Sequence, residues 1–265
     1  MPYANVRGVR LYFEEHGAGP WLIVAHGFLG SVATATVMNA ARLAERGLRV
    51  IAYDSRGHGL SEYSHRSEDY SWASLAEDLD RLMDTLGIER ATICGTSLGA
   101  GAALMLALNR PSRVERLVLR APPPFAEDLA EAQRRMGALA TACRYLGVPL
   151  TARIVGLLPG NAEQARTVAA QRRAALLPAV RGLLFEGAPL PSERLQEIGV
   201  PTLILAHPND AMHPLRSGEL IHDRVRRASL HVAASAQYWQ QNPGPFCDLV
   251  ASFAKGDDAA RRIGR

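Results

Sequence analysis

Short apolar segments of strand character alternate with segments of helical periodicity along most of this 265-residue chain. The clearest strand patterns are "WLIVAH" (21–26), "LRVIAYD" (48–54) and "PTLILAHP" (201–208). A helix is indicated by "SWASLAEDLDRLMDTLG" (71–87), which starts on a capping serine and stops on a glycine. This alternation predicts an α/β fold, in which a mostly parallel sheet is covered by helices on both faces.

The strand pattern stops between Pro122 and Pro201. This stretch is rich in Ala, Arg and Leu and is broken by Pro and Gly, which predicts several short helices. We therefore expect a core formed by residues 1–122 and 201–255 and a helical cap formed by residues 123–200. The charged segment 256–265 lacks apolar periodicity and is predicted to be a flexible tail.

The composition argues against several classes of partner. The net charge is only +4, and the 29 arginines and one lysine are scattered without forming a basic stripe, so no nucleic-acid partner is expected. The three cysteines include no CxxC pair, which supports neither a disulfide framework nor a zinc site. Because no apolar run reaches about 18 residues and the N-terminus lacks a signal pattern, we expect no membrane partner and a cytoplasmic location.

The pentapeptide "GTSLG" (95–99) lies between a predicted strand and a predicted helix. Glycines on both sides of Ser97 permit a sharp turn that lifts its hydroxyl to the edge of the sheet, as in a nucleophile elbow. The alternative is an ordinary tight turn between a strand and a helix.

Two further segments carry a resemblance to a known family. "VAHGFLGS" follows one strand and "YDSRGHGLSE" follows the next, and together with "GTSLG" they make the chain resemble the capped esterase, lactonase and C–C hydrolase branch of the α/β-hydrolase superfamily. The resemblance implies an eight-stranded, mostly parallel sheet and an oxyanion hole formed by the backbone N–H groups of Phe28 and Leu98. It assigns no cofactor and no metal.

The same resemblance implies that the catalytic acid follows the penultimate strand. Asp210 lies in "LILAHPNDAMHP" (203–214), four residues before Pro214, which matches the family spacing. Its role would be to orient an imidazole. The alternative is that Asp210 caps the helix that follows.

The family takes its general base from the loop after the last strand, but "AASAQYWQQNP" (233–243) contains no histidine. Gln237 lies closest to the expected position, and an amide can imitate imidazole hydrogen bonds but cannot take up a proton near neutral pH. His231 precedes this loop, inside the predicted last strand. His58 matches a variable position of the family pattern, and His26 is expected to be structural.

Three hypotheses follow from the missing histidine. In the first, His213 on the acid loop serves as the base, although "Asp-x-x-His-Pro" is also typical of a helix start, which the pattern favours. In the second, the chain is a non-hydrolytic enzyme of the lyase or cyclase type, or a small-molecule binding protein. In the third, Gln237 replaces a natural histidine through engineering.

The function that the sequence predicts is serine-dependent hydrolysis of an ester, lactone or related acyl bond with an atypical or incomplete triad. The Ala- and Leu-rich cap predicts an apolar cavity and hence an apolar small-molecule substrate. Neither the substrate nor the oligomeric state can be identified from these patterns.

Overall fold

The computed structural model describes residues 2–35, 37–157 and 162–257, and for residues 162 and 163 it describes the backbone alone. Eight strands form one sheet in the order β1-β2-β4-β3-β5-β6-β7-β8. The strands are β1 Tyr3–Val6, β2 Val9–His16, β3 Trp21–Ala25, β4 Arg49–Tyr53, β5 Ala91–Thr96, β6 Val114–Arg120, β7 Thr202–Ala206 and β8 Ala228–Val232.

The sheet is parallel except at one edge. Strand β2 pairs antiparallel with both β1 and β4, and all pairs from β4 through β8 are parallel. The predicted mostly parallel, eight-stranded α/β sheet is therefore confirmed. Since parallel strands share a direction, the loops after β3, β5 and β7 all leave the sheet at its carboxyl edge.

Ten α-helices are found in the described ranges. They are α1 Ala40–Ala44, α2 Trp72–Thr85, α3 Leu98–Asn109, α4 Leu129–Tyr145, α5 Val148–Gly156, α6 Ala162–Ala169, α7 Arg173–Arg181, α8 Leu215–Arg224, α9 Tyr238–Gln241 and α10 Pro243–Lys255. Ser71 caps α2 as expected, because its side chain accepts a hydrogen bond from the backbone N–H of Ser74.

Alternate residues of the central strands enter two different cores. Leu22 and Val24 of β3 pack with α1 and α10 on one face of the sheet, whereas Ile23 and Ala25 pack with α2 and α3 on the other. Both faces are buried, so the strands read as continuous apolar runs without alternation.

Helices α4 to α7 occupy the chain between β6 and β7, and no strand occurs there within the described residues. This segment is held to the rest of the fold by polar contacts as well as by packing. Gln171 donates to the carbonyl of Leu29, and the Arg172 guanidinium donates to the carbonyls of Gly59 and Ser61. These contacts join the helical segment to the loops that follow β3 and β4.

Helix α1 is short, and its N-cap Asn39 accepts from the N–H of Arg42. One local expectation was wrong. The polar loop expected after the last strand contains the short helix α9, because Trp239 is buried and its ring lies 5.6 Å from that of Phe246. Of the tail predicted at 256–265, residues 258–265 lie outside the described part of the chain.

Candidate active site

Ser97 lies in a strained turn between β5 and α3. Its backbone has φ 49° and ψ −106°, a conformation that side chains other than glycine rarely adopt. The turn is possible because its neighbours are glycines: a Cβ on Gly95 would overlap the carbonyl of Gly99, and one on Gly99 would overlap the carbonyl of Ala25. This geometry presents the Ser97 hydroxyl at the carboxyl edge of the sheet, as the sequence predicts for an elbow.

His213 connects Ser97 to Asp210. Its Nε2 lies 2.8 Å from Ser97 Oγ, and its Nδ1 lies 2.9 Å from Asp210 Oδ2. The partners determine the tautomer, because an ionised carboxylate only accepts. Nδ1 therefore donates to Asp210, and the lone pair of Nε2 faces the Ser97 hydroxyl.

The pattern at His213 favoured a helix start over a base, and the structure shows a helix start next to the contact between His213 and Ser97. Helix α8 does begin directly after this segment, with Pro214 as its N-cap. Asp210 is therefore not the cap of that helix, although its Oδ1 accepts from the backbone N–H groups of Met212 and His213 at 2.8 and 3.2 Å. These two bonds curl the loop so that the His213 side chain turns back over Asp210.

His207 is a second imidazole on the same carboxylate. Its Nε2 lies 2.9 Å from Asp210 Oδ2, the oxygen that His213 also contacts. Burial alone would raise the pKa of Asp210, but hydrogen bonds from His207 and His213 outweigh it and hold that pKa well below its usual range. Asp210 is therefore ionised throughout the neutral range.

Gln237 lies away from this cluster. It is exposed, it precedes the first residue of α9, and among the described contacts it bonds to neither Ser97 nor Asp210. His231 lies in β8, as the sequence predicts, and its ring lies 5.3 Å from that of Trp239.

Phe28 and Leu98 flank Ser97 on the two segments expected to supply oxyanion donors. The loop after β3 turns at Gly27, where the Gly30 N–H donates to the Gly27 carbonyl at 2.9 Å, and a Cβ on Gly27 would lie 3.5 Å from Ser97 Cβ. Leu98 is the first residue of α3. In the described part of the chain, neither the Phe28 nor the Leu98 N–H donates to another group.

A small cavity of about 40 Å³ lies over Ser97 and His213. Its other lining residues among those described are apolar or aromatic: Phe28, Trp72, Leu98, Pro123, Pro124, Leu129, Ala132, Met136, Leu183, Leu184 and Met212. Several come from the helical segment between β6 and β7, so this segment contributes one wall. Within the described ranges, no three His, Cys, Asp or Glu side chains are arranged to hold a metal ion.

Comparison with known proteins agrees with this fold. The alpha/beta hydrolase fold family matches residues 20–153. The 2-hydroxymuconate semialdehyde hydrolase of Pseudomonas sp. (strain CF600) is 30% identical, with the alignment covering 96% of this chain and 93% of that protein. The chain belongs to the α/β-hydrolase superfamily.

Solved structures of other superfamily proteins share the fold. The enol-lactonase from Burkholderia xenovorans LB400 has a TM-score of 0.79 at 22% identity, covering 96% of this chain and all of that one. The esterase from Exiguobacterium antarcticum also has a TM-score of 0.79 at 22% identity, covering 96% of this chain and 98% of that one. These two structures support the fold, and the 30% identical semialdehyde hydrolase supports a hydrolase here.

In this α/β-hydrolase, buried polar contacts hold the loops around the site. Asp54 accepts from the N–H groups of Val32 and Leu60, at 2.6 and 2.8 Å, so it joins the loops after β3 and β4. Arg56 forms a bidentate pair with Asp78 of α2, both side chains being almost fully buried. These contacts fix the loops after β3 and β4 relative to each other and to α2.

Two of the buried histidines of this α/β-hydrolase, His26 and His58, are also structural. His26 Nε2 accepts from the Ser55 N–H at 2.9 Å, and its Nδ1 donates to the Gly27 carbonyl. Burial lowers the pKa of His26 to about 4. Burial and the neighbouring His26 ring together lower the pKa of His58 to about 3. Both rings are therefore neutral hydrogen-bonding groups at pH 7.

Within the described residues of this α/β-hydrolase, no helix is both long enough and apolar enough to cross a bilayer.

The residue that the sequence reasoning missed is His207. The signal was the spacing His207, Asp210 and His213, with an imidazole three residues to either side of the acid. On a loop, this spacing does not determine the direction of the side chains. The sequence therefore could not predict that both imidazoles contact the same oxygen, Asp210 Oδ2.

Proposed function

We propose that this chain is a serine hydrolase whose base is His213, supplied by the acid loop in place of the loop after the last strand. The observation that carries the proposal is the continuous path from Ser97 Oγ through both nitrogens of His213 to Asp210 Oδ2, with distances of 2.8 and 2.9 Å. Both distances are within the range that proton transfer needs.

Each group in this path has a chemical task. Ser97 Oγ attacks the acyl carbon of the substrate while His213 Nε2 takes its proton, and Asp210 stabilises the imidazolium that forms. The Phe28 and Leu98 N–H groups donate to the carbonyl oxygen as it becomes negative, a contribution of about 3 kcal/mol per donor. His213 then returns the proton to the leaving group, which departs and leaves an acyl-enzyme.

Water completes the cycle by the same path. His213 takes a proton from water, the resulting hydroxide attacks the acyl carbon, and Ser97 leaves with the proton restored to Oγ. The products are a carboxylic acid and the free leaving group. No redox or metal chemistry enters these steps.

The substrate class that we propose is an ester, lactone or related acyl compound with an apolar acyl group. The support is the cavity over Ser97, whose walls are apolar apart from Ser97 and His213 among the described residues. A small apolar acyl group would release water from these walls on binding.

Hydrolysis of 4-nitrophenyl butyrate and labelling by a fluorophosphonate probe test the proposal. We expect Ser97→Ala to lose both activities. His213→Gln keeps polar character but cannot accept the proton, so we expect turnover to fall by about 10⁴- to 10⁶-fold, as for loss of the histidine in a serine protease.

His222→Gln is the matched control, because His222 is an exposed histidine of α8, the helix that follows the acid loop. We expect it to retain wild-type rates. Hydrolysis that survives in His213→Gln would refute the relocated base. A wild-type protein whose Ser97 does not react with the probe would refute the serine hydrolase and support a non-hydrolytic role for the same cavity.

A further inference from the structure

The acid and base of the proposed site share one short loop. Asp210 and His213 are three residues apart, in a segment where Asn209 and Ala211 are exposed and Asn209 adopts a left-handed conformation with φ 60°. When acid and base come from separate strands, the sheet itself determines their separation. Here the loop needs an attachment outside itself to keep the acid under the base.

His207 is the residue that provides such an attachment. It directly follows β7 and is only 6% exposed, and the strand before it is locked into the sheet, where the Ala233 N–H donates to the Ala206 carbonyl at 2.8 Å. Its Nε2 lies 2.9 Å from Asp210 Oδ2. The contact therefore joins the end of a buried strand to an exposed loop.

The carboxylate of Asp210 has a donor for each of its lone-pair sites. Oδ1 accepts from the N–H groups of Met212 and His213, both within the loop, and Oδ2 accepts from the side chains of His213 and His207. Of these four bonds, only the bond from His207 originates at a residue of the buried end of the strand. It is therefore the one that orients the carboxylate relative to the sheet, and with it Ser97.

We propose that His207 is a positioning residue for the hydrolytic site, whose Nε2–H holds Asp210 Oδ2 against His213 Nδ1. This inference rests on the proposed function for its kinetic consequence. The site is then a chain of four groups, in which His207 never touches substrate and acts only through Asp210. A neutral His207 with the proton on Nε2 is sufficient, since the carboxylate supplies the accepting oxygen.

The experiment compares His207→Leu with His207→Gln. Leucine fills space but removes the donor, whereas the glutamine amide offers an N–H at a position similar to that of imidazole Nε2. We expect His207→Leu to lower kcat for 4-nitrophenyl butyrate by about a hundredfold with little change in KM, because a misplacement of about 1 Å costs rates of this order. We expect His207→Gln to recover most of the loss.

Rates are expressed per reactive serine, determined by fluorophosphonate titration, so that unfolded protein does not contribute. His222→Leu, at an exposed position of α8, is the matched control and should retain wild-type kcat. Equal losses in His207→Leu and His207→Gln would show that His207 only packs the loop. Wild-type kcat in His207→Leu would overturn the proposal directly.

Proton NMR of the imidazole N–H groups gives a readout that does not need activity. We expect a low-field His213 Nδ1–H resonance in wild type and in His207→Gln, and its loss in His207→Leu. An unchanged resonance in His207→Leu would refute the positioning role. If wild type shows the resonance pattern but never hydrolyses an ester, the proposed function fails while the positioning of Asp210 by His207 stands.

Discussion

At the scale of single residues, the site depends on the direction in which a loop side chain points. Ser97 and Asp210 are found from motif and spacing, because both follow strands at the carboxyl edge of the sheet. The pattern "Asp-x-x-His-Pro" allowed two interpretations, in which His213 is either a general base or part of a helix start. The backbone bonds from Met212 and His213 to Asp210 Oδ1 turn the imidazole toward Ser97. No periodicity in the sequence specifies such a turn.

Gln237 provides a prediction at this scale. Because it is exposed and bonds to neither Ser97 nor Asp210 among the described contacts, we expect Gln237→Ala to leave kcat for 4-nitrophenyl butyrate within about twofold of wild type. Steady-state kinetics provides the measurement. A tenfold or greater loss would mean that this residue reaches the substrate and that the proposed path through His213 is incomplete.

At the scale of elements, the junction of β5 and α3 determines where the Ser97 side chain lies. The Gly99 N–H donates to the His26 carbonyl at 3.1 Å, so α3 begins in direct contact with the loop after β3. This approach brings Gly27 against Ser97 and leaves no room for a Cβ at Gly99. Gly99 is thus required by its contact with β3, whereas Gly95 is required by the turn itself.

Gly99→Ala tests this close approach. Its methyl group would overlap the backbone carbonyl of Ala25, which a strand cannot move easily, so we expect a loss of about 1–3 kcal/mol in unfolding free energy and slower fluorophosphonate labelling of Ser97. Urea denaturation and labelling kinetics are the measurements. Gly199→Ala is the control, since a Cβ there would meet no atom within 4 Å. Equal stability of the two variants would contradict the packing argument.

At the scale of the whole molecule, the loops after β3 and β4 are joined beneath the site by groups that must stay neutral. His26 and His58 are buried with ring centroids 5.2 Å apart, and burial lowers their pKa values to about 4 and about 3. In the unfolded chain each histidine would titrate near 6.5. Below that pH the unfolded state therefore binds protons that the folded state does not.

We expect stability to fall as the pH decreases from 6.5 toward 4, by about 1.4 kcal/mol per pH unit for each of these histidines, and to be unaffected by them above 6.5. Urea unfolding across this range measures the slope. His58→Gln should reduce the slope, whereas His65→Gln, at an exposed position, should not. An unchanged slope in His58→Gln would show that His58 does not titrate as a buried neutral group.

The sequence by itself determined the architecture, the sharp turn at Ser97 and the loop that carries Asp210. These features follow from local patterns, such as apolar strands, glycines at a sharp turn, and an aspartate at a set distance after a strand. The short helix α9 escaped prediction because burial of Trp239 beside Phe246 is a tertiary contact.

Only the tertiary structure decided which histidine faces Ser97. Strand β6 lies between β5 and β7, so the acid loop must reach across one strand to place His213 Nε2 at 2.8 Å from Ser97 Oγ. Whether the His213 side chain reaches Ser97 depends on the conformation of the loop and on tertiary contacts such as the hydrogen bond between His207 and Asp210. These contacts depend on where the side chains point. Spacing along the chain specifies only which residues are available for such contacts.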